Sequence, residues 1–133
     1  RLLERDLEMD TLNARMSEGL YRTSKERRED PTLEFLYRSA GPVWYRGMVC
    51  TDEKYDPLTP EQTDALLRRY DADRLLVGHT VFPDISTFHD GRVIAVNVQN
   101  ELNRRKNRGL AVLIEGSRIS VVGNRGVKRV LEE

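Results

Sequence analysis

An α+β fold, with helices packed on a largely antiparallel sheet, is what this 133-residue sequence predicts. Three observations carry that prediction. Apolar residues recur at helical spacing near the start of the chain. A capped helix start at Thr59-Pro60-Glu61-Gln62 leads into the short apolar run Leu75-Leu76-Val77. Two later stretches are rich in β-branched residues and turn at glycines, as antiparallel hairpins do.

The elements follow in order. Leu3, Leu7, Leu12, Met16 and Leu20 share one helical face, which predicts one helix or two short ones ending near Gly19 to Arg22. The stretch "TSKERREDP", Thr23 to Pro31, reads as a charged connector with a solvated face. "PTLEFLYRS" opens on a proline suited to a first helical turn and carries Leu33, Leu36 and Tyr37, so a short helix is expected there. The loop "CTDEKYDPL" separates it from the next helix. At that helix Thr59 caps, Pro60 fits the first turn and Gln62 completes a capping box, with Ala65, Leu66, Leu67 and Tyr70 on the buried face. "DRLLVGH" then reads as a buried strand rather than an exposed one. "DISTFHDGRVIAVNV" is a hairpin turning at Asp90-Gly91, with His89 in the exposed turn. "GLAVLIEGSRISVVG" is a second, turning near Glu115-Gly116-Ser117, and "VKRVLEE" is a surface tail.

The length suits one domain, residues 1–133. Lys plus Arg and Asp plus Glu stand at 22 each, so the basic excess of a nucleic-acid module is missing, and no such partner is expected. No apolar run is long enough to span a membrane, so no membrane partner is expected and a soluble, cytoplasmic protein is favoured. The single cysteine, Cys50, excludes an internal disulfide framework.

Two segments hold chemistry-bearing residues. "GPVWYRG" gathers the one tryptophan with a tyrosine, an arginine and two glycines. Arg46 either grips a phosphate with two parallel hydrogen bonds or forms a salt bridge within an aromatic core segment. "LLVGHT" places His79 where a strand ends, behind Gly78. It is a metal ligand, a general acid/base, or a histidine satisfied by hydrogen bonds. "NRRKNR", Asn103 to Arg108, is an anion site or a solvated loop without interleaved aromatics. "GNRGVKR" lacks the spacing of a phosphate loop. The chain offers no H-x-H, no D-x-H and no clustered cysteines, so these residues assemble no complete metal site.

In sequence order, "GPVWYRG", a helix, "LLVGHT" and "GRVIAVNV" resemble the C-terminal part of calcineurin-like metallophosphoesterases, in their bacterial serine/threonine-phosphatase-like branch. The likeness runs from about Thr32 to Val122. It implies half of that family's α/β sandwich and a metal-dependent phosphatase acting on phosphoproteins or small phosphomonoesters. It implies two divalent metal ions (Mn, Fe or Zn) with most ligands outside this chain. His79 is then a metal ligand supported by Gly78 and Thr80, and Arg46 is the catalytic residue that binds the substrate phosphate. The family's D-x-H, G-D-x-x-D, G-N-H-E and H-G-G motifs are absent. The expected partners are therefore a phosphorylated substrate and the missing N-terminal half of the same domain, with the isolated chain inactive. Two alternatives stand beside this reading: a noncatalytic binding or regulatory module with phosphatase-like topology, and an unrelated α+β interaction domain.

Overall fold

The computed structural model describes residues 1–132. The chain divides into two compact units, Arg1–Ala72 and Asp73–Glu133.

The first unit is built of helices and turns. A 3-10 turn, Leu3–Arg5, precedes α1, Met9–Leu20. The expected connector is instead helical: α2 covers Ser24–Glu29. The reason is local. Thr23 accepts from the Glu26 amide, and the Glu26 carboxylate accepts from the Thr23 amide at 2.7 Å, a capping box inside the charged run. α3, Pro31–Tyr37, starts at Asp30, whose carboxylate accepts from Thr32 and Leu33 amides at 2.9 and 3.0 Å. Asp30 also pairs with Arg15 of α1. The Tyr37 hydroxyl donates to the Met16 carbonyl, so both ends of α3 are tied back to α1. α4 spans Pro60–Arg69 with the expected capping box between Thr59 and Gln62. Leu33 and Leu36 are fully buried, as is Thr63 of α4, and Leu66 and Leu67 of α4 are buried beside it. Full burial of one leucine is worth about 1.5–3 kcal/mol before the cost of ordering it.

The second unit holds six strands in two sheets of three. β1 (Leu75–Val77), β2 (Ser86–Phe88) and β3 (Val93–Ala95) are ordered β1-β3-β2. β1 lies parallel to β3, and β2 antiparallel to it. The hairpin at Asp90-Gly91 stands as expected, with His89, Asp90 and Gly91 all at positive φ. Leu76 is 47% exposed, so β1 is not buried on both faces; β3 is, at Val93, Ile94 and Ala95. β1 is an edge strand, paired with β3 alone among the described residues.

α5, Asn100–Arg105, takes up the first part of "NRRKNR". β4 (Leu110–Glu115), β5 (Arg118–Gly123) and β6 (Gly126–Glu132) then form an antiparallel meander. Gly116, the first residue of the β4–β5 link, has φ 63, which a side chain would disfavour. The tail assignment of "VKRVLEE" is corrected: up to Glu132 it is β6, and Glu133 lies outside the described residues. Its alternation is broken by register shifts at Ile119/Ser120 and Val121/Val122, which hid the strand period. Ile85, Ile94, Val98, Ile119 and Val121 make the core between the two sheets.

A mixed α+β architecture is therefore present. The more specific expectation, helices laid on one antiparallel sheet as half of a metallophosphoesterase sandwich, is not supported. The strands divide between a mixed sheet and a separate meander.

Candidate functional site

Arg46 is reached from α3 through two tight turns. The Trp44 and Tyr45 amides donate to the Gly41 carbonyl at 3.1 and 2.9 Å. The Arg46 carbonyl accepts from the Val49 and Cys50 amides at 3.1 and 2.9 Å, and Val49 anchors the second turn in the core. The backbone at Arg46 is thereby fixed while the half-buried side chain faces a cavity of about 810 Å³. Tyr37, Trp44, Tyr45, Lys54 and Tyr55 also line it. An adjoining cavity of about 490 Å³ shares Arg1, Tyr45 and Asp56 with the first.

Three cations line the larger cavity, and their pairing differs. Arg1 lies 3.4 Å from the Asp56 carboxylate, and Lys54 lies 2.8 Å from that of Asp52. Lys54 also sits 4.9 Å from the Tyr55 ring centroid. Among the described residues no carboxylate pairs with the Arg46 guanidinium. Among those residues Arg46 is a half-buried positive charge lining a cavity.

The aromatics of "GPVWYRG" predict packing against the core that fixes the backbone, and Gly47 predicts room for a substrate beside the guanidinium; both expectations are corrected. Trp44 is 53% exposed, so it does not pack into the core to brace the arginine. Gly47 does not leave room for a substrate. A Cβ there would lie 2.7 Å from the Asp56 carbonyl oxygen and would strike the Tyr45 ring. The glycine is needed for that close packing. The Tyr45 hydroxyl donates to the Asp56 carbonyl, a contact the sequence reading missed. Desolvation, then the nearby Asp56 charge, pushes the Tyr45 hydroxyl above the ordinary tyrosine range, against the opposing pull of Arg1.

Gly78, His79 and Thr80 belong to the second unit and follow β1, the strand end anticipated from "LLVGHT". The turn pivots on the histidine. His79 has φ 67, and the Thr80 amide donates to the Gly78 carbonyl at 2.8 Å, a γ-turn with a non-glycine residue at its centre. Nothing lies within 4 Å of a Cβ built on Gly78, and Gly78 is exposed, so its lack of a side chain is not what shapes the turn. His79 is exposed and Thr80 is half-buried.

Among the described residues, no group of three or more His, Cys, Asp or Glu side chains is arranged to hold a metal ion. The residues present do not fit a resident metal pair, and the assignment of two divalent ions (Mn, Fe or Zn) to this chain is corrected. Among the same residues no helix is long and apolar enough to cross a membrane.

No family model and no curated protein matches the chain. Solved structures do. A cold-active protein tyrosine phosphatase, determined at 1.1 Å, is 26% identical over 97% of this chain and 36% of its own length, with a TM-score of 0.81. The cold-active protein-tyrosine phosphatase of a psychrophile, Shewanella sp., gives the same identity and TM-score over 37% of its length. The chain thus spans little more than a third of the structures it matches. These structures are protein tyrosine phosphatases and not calcineurin-like metallophosphoesterases, so the resemblance to the latter family is corrected.

Proposed function

We propose that this chain is the phosphoryl-binding part of a phosphatase that hydrolyses phosphate monoesters of proteins or small molecules, with Arg46 as the residue that grips the phosphoryl group. The observation that carries the reading is the Arg46 guanidinium, half-buried beside a cavity and without a carboxylate partner among the described residues. The likeness to protein tyrosine phosphatases over nearly the whole chain supports it and makes aryl phosphates, phosphotyrosyl peptides included, the first substrates to test.

The chemistry suits the residue. A phosphate monoester spreads negative charge over its non-bridging oxygens, and that charge is redistributed as the ester bond breaks. A planar guanidinium meets two of those oxygens with parallel N–H···O bonds and needs no reorganisation during the reaction. Unpaired, it offers that full capacity to the substrate. Tyr37, Trp44, Tyr45 and Tyr55 give the cavity aromatic surface for a leaving group with a ring.

Arg46→Ala in the natural protein should lower kcat/KM for an aryl phosphate by on the order of a hundredfold, with Arg46→Lys recovering only part. The melting temperature should stay near that of the parent, since no ion pair among the described residues is lost. A fully active Arg46→Ala enzyme would sink the assignment. Phosphate binding that depends on Arg46, without turnover by the natural protein, would instead establish the noncatalytic module.

A further inference from the structure

We propose that Tyr45 is a positioning residue for Arg46: its hydroxyl clasps the turn that carries the guanidinium to the loop that carries Lys54 and Tyr55, and so holds the phosphoryl-binding cavity at working width. The inference rests on the reading of Arg46 given above.

Three contacts make the clasp, all within the first unit. The Tyr45 hydroxyl donates to the Asp56 carbonyl. The Leu58 amide donates to the Gly47 carbonyl at 3.0 Å. Gly47 is packed so closely under the Tyr45 ring and the Asp56 carbonyl that no Cβ fits there. Asp56 itself is left-handed, at φ 52, at the end of the 3-10 turn Glu53–Tyr55, whose N-cap Asp52 accepts from the Lys54 amide at 3.1 Å. The Tyr45 hydroxyl bonds the end of that turn to the segment bearing Arg46.

The larger cavity is lined by residues 44–46 on one side of this clasp and 54–56 on the other. The Tyr45 hydroxyl therefore joins the two lining segments, beside the Leu58–Gly47 backbone bond. A tyrosine hydroxyl is a donor at neutral pH in any case, and burial extends that range upward for Tyr45. Tyr45 needs no contact with substrate to act. Losing the hydroxyl frees the loop, and the guanidinium then has to be ordered anew each time an anion binds.

The test is a double-mutant cycle on Tyr45→Phe and Arg46→Ala, read by titrating inorganic phosphate into the chain, by kcat and KM of the natural protein, and by melting temperature. Tyr45→Phe should weaken phosphate binding roughly three- to tenfold, the range one neutral hydrogen bond controls. It should do so only while Arg46 is present. Gly47→Ala, which forces the ring off its seat, should act in the same direction if Tyr45→Phe proves too unstable to study. Equal losses with and without Arg46, or a lowered melting temperature with unchanged phosphate affinity, would overturn the positioning role while leaving Arg46 in place. An Arg46→Ala chain that binds phosphate as the parent does would overturn both.

Discussion

At the scale of single residues, the two sequence-selected positions stand in different physical situations. Arg46 sits between two backbone turns, and no carboxylate among the described residues answers its charge. His79 is held in a conformation that ordinary side chains avoid, at φ 67 in the centre of a γ-turn. Such a position costs a non-glycine residue on the order of 1 kcal/mol or more. Stability at residue 79 should therefore rank Gly at or above His, and His above Val by more than about 1 kcal/mol, because a β-branched side chain suits positive φ worst. Urea unfolding of His79→Gly and His79→Val checks the order, and a valine variant as stable as the parent would mean the turn is not kept in solution. The sequence singles out Arg46 because a lone arginine among aromatics is a local pattern. The Tyr45 clasp was not legible there, since its partner Asp56 stands 11 positions further on and offers a backbone carbonyl, which no residue type announces. The role given to Gly47 failed for the same reason: the same letter serves open space and tight packing.

At the scale of elements, the signals that could be read were the short-range ones. The Thr59–Gln62 box and the Asp90-Gly91 turn lie within a few residues, and both stand in the structure. The Thr23–Glu26 box was equally local but was outweighed by the surrounding charge run, and α2 was lost with it. β6 was lost because its bulges break the alternation that marks a strand. What ties β6 down is the Arg129 guanidinium, 2.9 Å from the Asp84 carboxylate and also donating to the Ile85 carbonyl. Arg129 first, with the Ile85 amide aiding and desolvation opposing, holds Asp84 below the usual carboxylate range. A carboxylate depressed in the folded state stabilises above its unfolded pKa, and that contribution is lost as pH falls through the folded value. The parent should therefore melt higher than Asp84→Asn near neutral pH, with the gap closing as pH drops below about 4. A gap that persists unchanged at pH 3 would show that the charge on Asp84 is not what fastens the strand.

At the scale of the whole molecule, helices fill the first unit and strands dominate the second, an order already visible as helical spacing giving way to hairpins. The division of the strands into two sheets was not visible, because parallel pairing of β1 with β3 depends on contacts across the intervening hairpin arm. The family resemblance failed at this scale too. Short motifs in a fixed order can be shared without fixing which protein they belong to. The meander has a further consequence, and it concerns time. β4, β5 and β6 are joined by links of two residues, Gly116–Ser117 and Asn124–Arg125, whereas Leu75 must find Val93 across the whole of β2. Closing a short loop forfeits less chain entropy than closing a long one, so hairpins form early and distant pairings late. Val121→Ala, at a position with 0% exposure in β5, should chiefly slow refolding. Leu75→Ala in β1 should chiefly hasten unfolding. Stopped-flow refolding of the two variants would reveal the sequence of events, and equal effects on both rates would mean the six strands settle together.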